Sequence, residues 1–142
     1  MKSYTVMGDT VNLASRLEGA NKLYGSRILA SESTIAAADA AIEAREIDRV
    51  TLVGQNQPQA IHEIMGRKGA LTAQQIELRT RYNEGLEAYR NKHWEEARAA
   101  FRAAQAAVPT DGPSATMLKR IEAFAAAPPP NTWDGAWRLD QK

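Results

Sequence analysis

Near Gly66-Arg67-Lys68-Gly69 the apolar pattern of the chain changes its period. Before this break, residues 45 to 65 (REIDRVTLVGQNQPQAIHEIM) alternate apolar and polar on both sides of Gly54-Gln55-Asn56-Gln57-Pro58, which reads as the tip of an antiparallel hairpin. After it, Ala, Glu, Arg and Gln dominate and apolar residues recur at helical spacing. A two-residue period does not suit a helix, nor a 3.6-residue period a strand. The fold class is therefore α+β, with the division at residues 67–71.

Upstream, Tyr4-Thr5-Val6-Met7 has strand composition, and Gly8-Asp9-Thr10 breaks it and offers Asp9 or Thr10 as a helix N-cap. From Val11 to Tyr24, Leu13, Leu17, Ala20 and Tyr24 fall on one helical face, with Gly25 in place for a left-handed C-cap. Arg27-Ile28-Leu29-Ala30 predicts a short strand, and Ser31 with Thr34 predicts an N-cap opening an Ala-rich helix to about Ala41. Downstream, helices are expected over Thr72–Lys92 and Trp94–Val108 around an Asn91-Lys92-His93 turn, and a third over Pro113–Ala127 before Pro128-Pro129-Pro130.

Composition narrows the chemistry. The 142 residues carry a net charge of +1, so bulk charge gives no nucleic-acid footprint. With no cysteine, a disulfide framework, a thiolate zinc site and a cysteine nucleophile are excluded, and a cytoplasmic location is the default. No apolar run reaches the roughly 20 residues of a spanning helix. His62 lies in an alternating strand and His93 in a turn, with no companion ligands nearby in sequence, so both read as structural or solvent-exposed.

Asn12 and Arg16, four apart, share a helix face just beyond the Gly8 break. A helix start suits phosphate, and Arg grips phosphoryl oxygens through paired hydrogen bonds, although such a pair is ordinarily just solvated. The run Tyr4-Thr5-Val6-Met7-Gly8-Asp9-Thr10-Val11-Asn12-Leu13-Ala14-Ser15-Arg16-Leu17 resembles the strand-turn-helix signature of bacterial class III adenylyl and guanylyl cyclase catalytic domains. Tyr24-Gly25-Ser26-Arg27-Ile28-Leu29, the Ser31-Glu32-Ser33-Thr34 helix start, and Arg45-Glu46-Ile47-Asp48-Arg49-Val50 before the hairpin resemble that family in order and spacing.

The resemblance covers residues 3 to 65 and implies a partial ferredoxin-like cyclase domain. It implies that Asn12 orients the ribose, that Arg16 stabilises charge at the α-phosphate as the 3′-hydroxyl attacks, and that Thr5 reads the purine base, favouring ATP over GTP. It also implies magnesium or manganese, held in the family by two aspartates that these residues do not include. A cyclase homodimer, with membrane anchoring through another region, is implied for the parent protein. Where related cyclases commonly place a triphosphate-holding lysine, this chain has Val53-Gly54-Gln55. A fragment inactive alone is therefore expected. The competing reading is a non-catalytic regulatory or protein-interaction module.

Past the break, Gly85, Trp94, Ala97, Phe101, Ala104 and Pro109 are separated by 9, 3, 4, 3 and 5 residues. This spacing resembles a tetratricopeptide repeat, in which small residues let helices cross closely around an aromatic. A lone repeat would pack on the first half, or on Phe124, Trp133 and Trp137. A protein partner through this region is the functional alternative to a purely structural hairpin. The expected organisation is 1–66 cyclase-like, 67–71 linker, 72–127 tetratricopeptide-like and 128–142 a Pro/Trp tail.

Overall fold

A computed structural model describes residues 24–25, 29–51 and 57–138. The alternating segment forms the expected antiparallel hairpin, β2 (Ile42–Thr51) and β3 (Gln59–Arg67). A short strand β1 (Leu29–Ser31) pairs antiparallel with the other side of β3, in the register Ala30 to His62. The helix α1 (Glu32–Ala38) follows β1, capped by the Ser31 hydroxyl accepting from the Thr34 amide. It ends a few residues before Ala41. The expected strand at 4–7, the expected Val11–Tyr24 helix up to residue 23, and residues 54–56 of the expected hairpin tip lie outside the described residues.

The pairing of β2 with β3 slips between Glu46 and Asp48, so Ile47 is an extra residue on β2. Such a bulge breaks the in-out alternation. Its consequence is direct: Ile47 and the next residue, Asp48, are both fully buried.

Helix α2 (Ala73–Arg90) opens with a reciprocal capping box: Thr72 Oγ1 accepts from the Gln75 amide and Gln75 Oε1 accepts from the Thr72 amide. Leu78, Tyr82, Gly85, Leu86 and Tyr89 form its buried stripe. After Asn91, Lys92 adopts a positive φ of 64° and reverses the chain into α3 (Trp94–Ala107). Ala97, Phe101 and Ala104 face back onto α2. At the crossing, a Cβ on Gly85 would sit 2.8 Å from the Phe101 ring, so glycine there is what admits the aromatic. Tyr82 meets that ring edge-on at 5.0 Å. Helix α4 (Gly112–Ala126) packs on α3 and starts at Asp111, whose carboxylate accepts from the Ser114 amide and hydroxyl.

Beyond the prolines the chain returns to the sheet. The segment Trp137–Arg138 forms β4, parallel to β2 at Val50 and Thr51, giving the order β1-β3-β2-β4. Gly135 makes the turn into it at φ 83°, where a side chain would also crowd Arg90 and Arg49. Trp133 packs against Tyr89 and Phe124 at ring distances of 5.2 and 5.3 Å, and Trp94 joins the same cluster. One buried cluster runs from Tyr24, Ile47, Val50 and Ile61 of the strand half into Leu78, Tyr82, Phe101, Met117 and Ile121 of the helices. The helical unit thus packs on the sheet and on the tail aromatics together.

Candidate functional site

The strand β2 is charged along its length, and its side chains meet opposite charges from the helical unit. Glu43 pairs with Arg79 of α2 at 2.9 Å, and Glu46 with Arg90 at 2.8 Å. Between them Arg45, 2% exposed, donates to Glu63 of β3 from Nε at 2.9 Å and to both oxygens of Asp111 at 3.2 and 2.5 Å. Its guanidinium also lies 4.7 Å from the Tyr82 ring centroid. Planar guanidinium and carboxylate match in this geometry, which fixes orientation as well as distance. Asp111 therefore serves two roles, capping α4 and anchoring it to β2.

The second anchor is deeper. Asp48, fully buried because of the bulge, accepts from Arg120 Nη1 and from the Tyr24 hydroxyl, each at 2.5 Å, while its Oδ1 accepts from the Arg49 amide at 2.7 Å. Arg120 further donates to the Tyr24 oxygen at 3.3 Å and the Tyr89 oxygen at 3.4 Å, and its guanidinium lies 3.9 Å from the Trp137 ring centroid. Three segments converge on one carboxylate: Tyr24, β2 and α4. Tyr82 ties α2 to the same place, donating to the carbonyl of the bulge residue Ile47 at 2.8 Å.

The electrostatics follow from burial. Burial, reinforced by the charge on Asp48, pushes the Tyr24 hydroxyl far above the usual phenol range; Tyr82 is raised mainly by burial, and Tyr89 is pushed up to about 12. Burial pulls the guanidinium of Arg120 down, but Asp48 and the two tyrosine hydroxyls outweigh it and the net shift is upward. Arg45 follows the same balance, with Asp111 and then Glu63 opposing desolvation.

Thr5, Asn12 and Arg16 lie outside the described residues, as do Asp9 and the Val53-Gly54-Gln55 tip. Tyr24, eight residues after Arg16, is described and is the link between that run and the buried network. His62 sits in β3 opposite Glu46, with Nδ1 buried and unpartnered, and His93 is exposed at 3.2 Å from Glu96. Among the described residues no three His, Cys, Asp or Glu side chains gather as a metal site. Asp48, Asp111 and Glu63 are committed to arginines, so these carboxylates do not fit the divalent ions that the cyclase resemblance implies.

Sequence reading missed the Tyr24-Asp48-Arg120 network. Arg120 interrupts the apolar stripe of Met117, Ile121 and Phe124, and a charge within an apolar stripe signals a buried partner. Asp48 gave no such sign, because strict alternation points it to solvent and only the bulge turns it inward.

Two known proteins are similar to this chain in sequence. A Dictyostelium discoideum protein named "Adenylate cyclase, terminal-differentiation specific" is 32% identical over 120 residues, covering 82% of this chain and 6% of the relative. "Adenylate cyclase 1" of Rhizobium meliloti (strain 1021) is 43% identical over 63 residues, covering 44% of this chain and 10% of its own length. The chain carries an adenylate-cyclase-related domain. It spans a tenth or less of the length of these two relatives. A match over 82% of the chain necessarily takes in more than half of the residues after Gly66, so the likeness to the Dictyostelium protein extends into the helical unit. No protein-family model and no solved structure matches the chain.

Proposed function

We propose that this chain supplies the nucleotide-contacting part of a class III nucleotide cyclase that converts ATP, in preference to GTP, to the 3′,5′-cyclic nucleotide and pyrophosphate. The observation that carries the reading is the likeness to two adenylate cyclases, one of them extending into the helical unit. In this reading Arg16 holds fixed positive charge against the α-phosphoryl oxygens as negative charge develops there, Asn12 fixes the ribose, and Thr5 meets the adenine edge through its hydroxyl. Magnesium or manganese supplies activation of the 3′-hydroxyl and neutralises the leaving pyrophosphate in such chemistry. Its ligands come from a portion of the catalytic domain outside this match, and the chain alone is proposed to be inactive. The helices α2 and α3 are proposed as one tetratricopeptide-type repeat and α4 as the first helix of another, supported by Gly85 seating Phe101.

The test is a hybrid in which the whole chain replaces the corresponding C-terminal part of a bacterial class III adenylate cyclase. With manganese and ATP the hybrid should form cyclic AMP. Arg16→Ala should lower kcat by about 100-fold or more with a smaller effect on KM. A hybrid that is fully active whatever stands at position 16 would overturn the assignment.

A further inference from the structure

Resting on that reading, we infer that Arg120 and Asp48 are positioning residues for the nucleotide-contacting segment. The helical unit acts on the reaction by clamping Tyr24, at the end of the run that carries Asn12 and Arg16. Tyr24 is fully buried, and its hydroxyl has two charged partners: it donates to Asp48 of β2 and accepts from Arg120 of α4. Its ring faces the Arg120 guanidinium at 5.4 Å, while Trp137 lies on that same group at 3.9 Å. The next residue, Gly25, packs its backbone against Gly112 at the start of α4. The end of the run is therefore gripped by side chain and backbone from one helix of the second half.

A greasy contact would hold Tyr24 equally firmly. Burying a charged pair is costly, and apolar substitutes are often as stable, so the network is better explained by geometry than by stability. Directed hydrogen bonds admit one position for the hydroxyl, whereas apolar packing tolerates sliding. Arg16 lies eight residues before Tyr24 in the chain, so the anchor holds the end of the run that carries it. A displacement of about 1 Å at a charge-stabilising group can cost about 100-fold in rate. An anchor at that end therefore bears on turnover more than on substrate affinity.

The experiment has two arms. In the full 142-residue chain, hydrogen exchange is followed by mass spectrometry for Tyr24→Phe and Arg120→Lys, with Arg98→Gln as a control, since among the described residues Arg98 pairs with Glu95 of α3 and Glu122 of α4. Both variants should speed exchange at least 10-fold over residues 12–24 while leaving the α2–α3 hairpin within 2-fold; Arg98→Gln should change neither. Unaltered exchange over 12–24, or a uniform rise across the whole chain, would overturn the inference. In the active hybrid, Tyr24→Phe and Arg120→Lys should lower kcat about 10-fold with KM for ATP within 2-fold. A rise in KM with kcat unchanged would overturn positioning. If Arg16→Ala is without effect, the cyclase reading fails, while the exchange arm still decides whether α4 clamps the segment.

Discussion

Replacing Arg120 by methionine probes how much the buried junction depends on its cation. Arg120 is 6% exposed, and its guanidinium pairs with a fully buried carboxylate at 2.5 Å, bonds two tyrosine oxygens and stacks on Trp137. Removing it leaves the Asp48 carboxylate buried with, among the described residues, the Tyr24 hydroxyl and the Arg49 amide as its remaining donors. Breaking a buried pair in this way costs about 3–5 kcal/mol. Native domains hold about 5–15 kcal/mol in all, so Arg120→Met should consume a large share of the stability. With a urea dependence of about 2 kcal/mol per molar, the midpoint should fall by about 2 M. Adding Asp48→Leu removes the orphaned charge and should recover most of the loss. A deficit of about 1–3 kcal/mol should remain, because the Tyr24 hydroxyl is then unsatisfied. Tyr24→Phe in that double variant should recover this last part. Equilibrium urea unfolding of the four proteins tests the series. If Arg120→Met costs under about 1 kcal/mol, or if adding Asp48→Leu deepens the loss rather than recovering most of it, the junction is solvated and the argument is wrong.

Other outcomes follow from separate features. Gly85→Ala gains about 1 kcal/mol of helix propensity but drives a methyl into the Phe101 ring, so a net loss of about 1–2 kcal/mol is expected by thermal unfolding, partly restored by Phe101→Leu. Trp137→Ala removes the stack on Arg120 and the edge contact to Phe124; a loss of about 2 kcal/mol should lower Tm by about 6 °C. For alkaline pH the sign is fixed by tyrosines whose folded pKa values lie above their unfolded value of about 10. Their contribution is complete below that pH and is lost as pH climbs through the folded values, so stability should fall from about pH 10 upward. Phenolate absorbance should show Tyr24, Tyr82 and Tyr89, three of the four tyrosines, silent until about pH 12 or unfolding, whichever comes first.

What could be read from sequence was what local rules control. The hairpin, the Ser31 cap, the Asn91-Lys92-His93 turn and the third helix follow from period, capping and turn chemistry within a few residues. The Gly85 and Phe101 pair was also legible, through the spacing that resembles a tetratricopeptide repeat. The junction was not, for two physical reasons. Its partners are far apart in sequence, 72 residues for Asp48 and Arg120 and 66 for Arg45 and Asp111, and no local period encodes such a pairing. Moreover, the bulge at Ile47 turns the next residue inward, so that alternation misassigns Asp48. The tail was read only as a Pro/Trp stretch, since a two-residue strand leaves almost no pattern.

That two-residue strand has a bearing on how the chain behaves in company. A long, flat, unpaired strand edge recruits strands from other molecules. Here Trp137 and Arg138 occupy the outer edge of β2 at Val50 and Thr51, both buried, and Trp137 is pinned there by Arg120. The tail thus works as a cover strip over the last two residues of the most charged strand. Shortening the chain before Trp137 would strip that cover, bare the edge at Val50 and Thr51, and should raise association between copies.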